Sequence, residues 1–168
     1  MIAWLSSNGY DVVHIDAIDP IKFAANPLDV LREEGFDQET IDYFVKITNF
    51  ENESKAIHEA IGHGAKFVST LPSSSDLVEY LKQKWIPILT LDAGVLVDKD
   101  LDGFQGHMVI VSGYDPSHDM VLVQDPGPTA EWDLVVPMER VMRALRTPSD
   151  SSGTITCVRL KNSEGGGN

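Results

Sequence analysis

The residues whose types and spacing could do chemistry are a histidine and an aspartate at the ends of two neighbouring apolar segments. His107 opens the segment 107–114, and Asp125 ends the segment 120–125. The polar turn at residues 115–119 predicts a hairpin, in which the start of the first strand lies beside the end of the second. A carboxylate that holds one imidazole nitrogen leaves the other free to take a proton from a nucleophile and return it to a leaving group. The pattern therefore predicts a general base and its orienting acid.

The same two residues also have a purely structural interpretation. His107 can simply begin a strand, and Asp125 can begin the turn 125–127, where aspartate is common because its side chain bonds the nearby backbone. The residue pattern alone leaves both interpretations open.

Two further patterns resemble metal sites but lack a complete ligand set. His58 and His63 are five residues apart, whereas a helix needs a spacing of four to direct both rings at one zinc ion. The acidic loop 98–102 copies the first half of a calcium loop, but Val109 stands where the twelfth residue should be glutamate. We predict no metal site and no cofactor, and the alternative is an incidental cation on the acidic loop.

Long apolar segments in the second half of the chain are expected to form the sheet that positions His107. The segments 85–91 and 107–114 are nearly continuous apolar runs, which is typical of strands buried on both faces. The segment 154–160 alternates between apolar and polar residues, as an edge strand does. We therefore predict an antiparallel sheet with the last strand near its edge.

The first half of the chain is mostly helical in pattern, up to residue 62. A polar run at 73–76 then caps a further helix over 77–82. We predict an α+β fold with one domain over residues 1–161, in which the helical N-terminal half packs on the sheet. The glycine-rich tail, residues 162–168, is predicted to be disordered.

Composition limits the partners and the compartment. The net charge of -13 makes binding to nucleic acid or anionic lipid unfavourable, because both need clustered Lys and Arg. The sequence contains neither an apolar run long enough for a membrane span nor a signal peptide, so we predict a cytoplasmic location. Cys157 is the single cysteine, which excludes an internal disulfide and a Cys-based zinc cluster.

The segment 106–115, followed by the strand that ends at Asp125 and Pro126, resembles a known family. It looks like the papain-like peptidases of cysteine peptidase family thirty-nine, the bacteriocin-processing or double-glycine peptidases, and their peptidase-like relatives. The resemblance covers about residues 1–128. Similar order and spacing recur upstream at residues 4–12, 19–23, 77–81 and 87–90.

This resemblance implies a papain-like fold, with His107 as general base and Asp125 as orienting acid. It also implies a peptide or protein substrate, with a Gly-Gly motif in the double-glycine peptidases. Members of the family carry a nucleophilic cysteine, with a nearby oxyanion-hole glutamine, on a helix N-terminal to the matched region. Cys157 follows His107 and Asp125 in sequence, so it does not correspond to that cysteine. Ser6 and Ser7 lie at a helix end, where local backbone bonding explains serine.

Three hypotheses follow for the function. The chain is an N-terminally incomplete cysteine peptidase, because the helix at residues 1–9 has an end but no capped beginning. Alternatively, it is a pseudo-peptidase that binds an extended peptide, or a metal-dependent hydrolase that uses the acidic loop 98–102. We expect the chain alone to be inactive as a peptidase. A sheet left partly uncovered predicts a homo-oligomer or a partner over that face.

Overall fold

The computed structural model describes residues 1–99, 104–126, 133–147 and 153–161. The predicted disordered tail and the part of the acidic loop after residue 99 lie outside the described residues. Helices and strands follow in the order α1 (Ile2–Ser7), β1 (Tyr10–Asp16), α2 (Pro20–Ala25), α3 (Pro27–Glu33), α4 (Gln38–Ile47), α5 (Phe50–Gly62), β2 (Lys66–Ser69), α6 (Ser74–Lys82), β3 (Ile86–Asp92), α7 (Ala93–Val97), β4 (Gly106–Asp115), β5 (Met120–Gln124), β6 (Leu134–Pro137), α8 (Met138–Leu145) and β7 (Thr154–Leu160).

The strands form one mixed sheet in the order β2-β1-β7-β3-β4-β5-β6. The α+β class predicted from the sequence is confirmed. The antiparallel pairing predicted for the strands at residues 86, 107 and 120 is confirmed. The sheet as a whole is mixed, because β1 and β2 pair in parallel. Four helices, α2 to α5, carry the chain between these two strands, and a crossover of this length lets the second strand run in the same direction as the first.

Strand β7 was predicted at the sheet edge, but it lies in the interior between β1 and β3. Ile155, Thr156, Cys157 and Val158 are all buried in succession, so both faces of this strand are covered. The alternation of threonine with apolar residues suggested one exposed face. That prediction failed because the threonine face is covered by polar and apolar groups of β1 and the N-terminal helices.

We call the two sides of the sheet the first face and the second face. On the first face, side chains from most strands pack against α6, α7 and α8, and the core there includes Leu77, Leu89, Leu96, Val109, Val123, Val141 and Ile155. On the second face, α1 and α5 cover Val12 and Val158 through a smaller cluster that includes Ala60. The main core is therefore on the first face.

The second face is open over the middle of the sheet. Leu89 and Val109 are fully buried on the first face, whereas Ile86 and Met108 are 50% and 49% exposed. The prediction that these two strands are buried on both faces is therefore wrong. Apolar residues alternate in their burial here because, among the described residues, the cluster under α1 and α5 extends from β1 over β7 but reaches only Ile88 of β3.

The helix start predicted near residue 73 is confirmed. Ser73 and Asp76 form a capping box, in which each side chain bonds the other residue's backbone N–H. Within the helical region predicted up to residue 62, α4 ends at Ile47 and Asn49 caps the start of α5. Within the described ranges, none of the helices combines the length and apolar character that crossing a bilayer requires.

Candidate functional site

Two adjacent strands bring His107 and Asp125 to the same end of the first face. His107 is the second residue of β4 and pairs with Leu91 of β3, whose side chain is buried in the main core. Asp125 directly follows β5, where Val121 and Val123 are buried on the first face. Because side chains alternate along a strand, Asp125 continues this series and is directed to the same side.

The two side chains are in direct contact. His107 Nε2 lies 2.5 Å from Asp125 Oδ1, and the side chains are 31% and 15% exposed. The prediction that they meet is confirmed, whereas their catalytic role stays a prediction. An ionised carboxylate only accepts hydrogen bonds, so Nε2 donates in this pair. In the neutral ring, Nδ1 is then the nitrogen that can accept a proton.

A β-bulge places both residues on one face. Gly113 pairs with Leu122 and Val111 pairs with Val123, which makes Ser112 an extra residue in β4. If the same residues paired without a bulge, Val123 would pair with Ser112. His107 would then lie on the face opposite Asp125. The sequence interpretation missed this bulge, although a lone glycine inside a strand pattern, Gly113, is a signal for one.

A buried aspartate, Asp92, fixes the chain just before His107. It ends β3 opposite Gly106, and its carboxylate accepts hydrogen bonds from the backbone N–H of Val95 at 2.8 Å and of Gln105 at 2.9 Å. Ala93 N–H also donates to the Gln105 carbonyl at 2.9 Å. Sequence reasoning missed Asp92. An aspartate after an apolar strand and before small residues is the signal of a helix cap that could have identified it.

The single cysteine is not placed to act with His107. Cys157 is fully buried on the first face of β7, where it pairs with Pro87 of β3, and His107 pairs with Leu91 further along that strand. Two strand spacings and four residues of strand separate them by on the order of 15 Å. Burial, followed by the nearby Asp76, raises the pKa of the Cys157 thiol to about 12. This environment disfavours the thiolate that attacks carbonyls.

The serines near the N terminus bond their own helix. Ser6 Oγ donates to the carbonyls of Ile2 and Ala3, and Ser7 Oγ donates to the carbonyl of Trp4. Their predicted local backbone bonding is therefore confirmed.

The metal-like patterns have other partners. His58 Nδ1 lies 2.7 Å from the Ser54 carbonyl, and Asp98 lies 3.4 Å from Arg140 and 3.7 Å from Arg143. Over the described part of the chain, no three His, Cys, Asp or Glu side chains are grouped so as to hold a metal ion. His58 and Asp98 therefore each have a local partner, whereas residues 100–102 of the acidic loop lie outside the described residues.

Comparison with known proteins adds no family. No protein-family model matches the chain, and a search of curated proteins found no significant match.

Proposed function

We propose that the chain is a peptidase-like domain of papain-like fold, in which His107 is the general base and Asp125 its orienting acid. The observation that carries this proposal is the 2.5 Å contact between His107 Nε2 and Asp125 Oδ1. The pair lies at the end of the first face with His107 partly open to solvent, so a substrate can reach the ring. The similarity of the segment 106–126 to double-glycine peptidases supports a peptide substrate.

Asp125 can orient the His107 ring, and the ring can move a proton. Neither side chain supplies the nucleophile that attacks a peptide bond. A cysteine peptidase needs a thiolate close to the ring. Cys157 is the only cysteine in the sequence, and it is buried with a raised pKa. We therefore expect this chain to bind peptide at His107 without cleaving it.

The test is a titration followed by NMR with the whole chain. A peptide that contains an internal Gly-Gly is added while the His107 ring nitrogens and the nearby backbone amides of Leu91 and Val109 are observed. The proposal predicts saturable shifts at these positions and no new peptide fragments in the mixture. Replacement of Gly-Gly by Val-Val is expected to weaken binding at least tenfold, since bulkier side chains hinder close approach of the backbone.

Two variants make this test specific. His107→Gln is expected to weaken peptide binding, whereas His118→Gln, on the exposed hairpin turn, is the matched control and should bind as the original chain does. Absence of saturable shifts at His107 at millimolar peptide would refute the proposal. Equal loss of binding in both variants would show that the peptide binds elsewhere.

A further inference from the structure

A cavity on the second face contains a second histidine and aspartate pair. It has a volume of about 300 Å³ and lies between β1, β2 and the helices α1, α2 and α5. Its apolar walls include Ile18, Phe23, Ile57 and Phe67. A further hollow of about 220 Å³ shares His14, Ile57 and Phe67 with it. The larger cavity is at the small end of the range for ligand pockets in proteins.

Threonines of β7 hold the polar groups of this cavity in place. His14 Nδ1 lies 2.9 Å from Thr156 Oγ1, and Thr154 Oγ1 donates to Asp16 Oδ2 at 2.6 Å. The other oxygen of Asp16 accepts the backbone N–H of Ile18 at 2.8 Å. His14 Nε2 lies 3.9 Å from Asp16 Oδ2, which is too long for a direct hydrogen bond. An imidazole nitrogen and a carboxylate oxygen are thus fixed side by side, close enough for one donor group to contact both.

The cavity is negatively charged. Its charged side chains are the carboxylates of Asp16 and Glu53, and neither Lys nor Arg is among the described residues that line it. Burial lowers the pKa of His14, against a smaller opposing effect of Asp16, so the ring is neutral at pH 7. Phe23 and Phe67 are among the lining residues, and an aromatic ring attracts a cation that lies over its face. A cation with an apolar body fits these walls, and the net charge of -13 favours its approach.

We propose that this cavity binds a small organic ammonium compound, with its charged nitrogen at Asp16 and its apolar body between Phe23, Phe67 and Ile57. When His14 Nδ1–H donates to Thr156, its Nε2 is an acceptor for the same ammonium group. A cavity of about 300 Å³ holds on the order of ten non-hydrogen atoms, if each takes the volume of one liquid water.

This site is separate from the His107 pair. His14 lies on β1, three strand positions from β4 in the sheet, and on the opposite face. Three strand spacings alone correspond to about 14 Å. Ligand binding at one site can therefore be tested without the other.

The test uses the whole chain and 2-phenylethylammonium chloride as the probe, with backbone amides followed by NMR at pH 7.5. We expect saturable shifts that centre on His14, Ile57 and Phe67. The neutral isostere 2-phenylethanol is expected to bind at least tenfold more weakly, and 3-phenylpropionate should give no saturable shift. Equal binding of the ammonium and the alcohol, or shifts that do not saturate, would overturn the proposal.

Carboxylate variants locate the bound charge. Asp16→Asn and Glu53→Gln are each expected to weaken probe binding at least fivefold. Glu51→Gln is the matched control on the same helix, because Glu51 is exposed and pairs with Lys55. If Asp16→Asn does not fold, Glu53→Gln still decides the question, since Glu53 is exposed. Equal probe affinity of Glu53→Gln and Glu51→Gln would contradict the proposed ammonium site.

Discussion

Two histidine and aspartate pairs in one sheet have different geometries. His107 and Asp125 come from neighbouring strands and touch at 2.5 Å, whereas His14 and Asp16 lie two residues apart on one strand and their closest nitrogen and oxygen are 3.9 Å apart. Residues i and i+2 of a strand point to the same side but stand too far apart for an easy direct bond. Strand register, and not residue type, therefore decides whether such a pair forms a direct hydrogen bond or stays apart.

The difference extends to the surroundings of each ring. His107 is 31% exposed, and its direct partner is a carboxylate. His14 is 15% exposed, and its direct partner is the Thr156 hydroxyl, with burial lowering its pKa. One ring therefore has a carboxylate as its direct partner, and the other is a neutral part of a cavity wall.

Insertion of one alanine between Ser112 and Gly113 should have the largest effect. The bulge accommodates one extra residue, so a second one either turns His107, Val109 and Val111 off the first face or shifts β4 by two residues along β5. Exposure of two fully buried valines costs about 3–6 kcal/mol, so the free energy of unfolding should fall by up to that amount. Urea denaturation measures it. Ser112→Ala keeps the residue count and should stay within about 0.5 kcal/mol of the original chain. Similar stability of the two variants would show that the bulge does not set the register.

Asp125→Asn, compared with Asp16→Asn, tests whether the carboxylate fixes the histidine ring in the His107 pair but not in the His14 pair. A hydrogen bond to a charged group contributes about 1.5–3 kcal/mol, so the free energy of unfolding of Asp125→Asn should fall by this amount or less. The ring nitrogens of His107 should change their tautomer populations, because the carboxylate no longer fixes Nε2–H. In Asp16→Asn, the tautomer of His14 should be unchanged, since Thr156 is its direct partner. A tautomer change at His14 as large as that at His107 would show that Asp16 holds its histidine in the same way as Asp125 does.

The lowered pKa of His14 predicts a pH dependence of stability. Between its folded pKa and the ordinary imidazole value of 6.5, the unfolded chain binds more protons than the folded chain. Stability from this group is therefore fully present above pH 6.5 and is lost as the pH falls through the folded pKa. Urea denaturation from pH 7.5 to 5 should show a flatter profile for His14→Gln. A profile of unchanged slope would mean that His14 is not held neutral by burial.

The smallest effect is expected for Cys157→Ala. Cys157 lies on β7, between the strands that carry the two pairs, and packs as a small apolar side chain. Its replacement should cost about 1 kcal/mol and leave both peptide and ammonium binding unchanged. Calorimetric titration of the variant with each probe checks this. Loss of peptide binding would point to a role for the thiol that its position does not explain.

The contact between His107 and Asp125 could be predicted from the sequence because the two residues are close together in the chain. Residues 107–125 form a local hairpin, and its apolar pattern and polar turn are both visible without the fold. The bulge at Ser112 was missed because its only sign is one glycine. The hairpin prediction still placed the start of β4 beside the end of β5. The bulge changes the face to which His107 is directed, but it does not change which strand ends are adjacent.

The cavity at His14 could not be predicted because its parts are far apart in the chain. Thr154 and Thr156 meet β1 only through the pairing of the first and last strands, which are separated by about 140 residues. The same long-range pairing explains the wrong position predicted for β7. The sequence shows that this strand has one polar side, but not that β1 supplies the histidine and aspartate that face it.

The interior position of β7 has a consequence for folding. It is the only described link in the sheet between the β2-β1 pair and the four strands β3 to β6. Ribosomal synthesis delivers it after all of them, so the two parts of the sheet cannot join until residues 154–160 have left the ribosome. Such non-local pairing slows folding, because the entropy of closing a long loop is lost before the contacts form. We therefore expect a nascent chain that is stalled before residue 154 to be far more sensitive to proteases than the finished one.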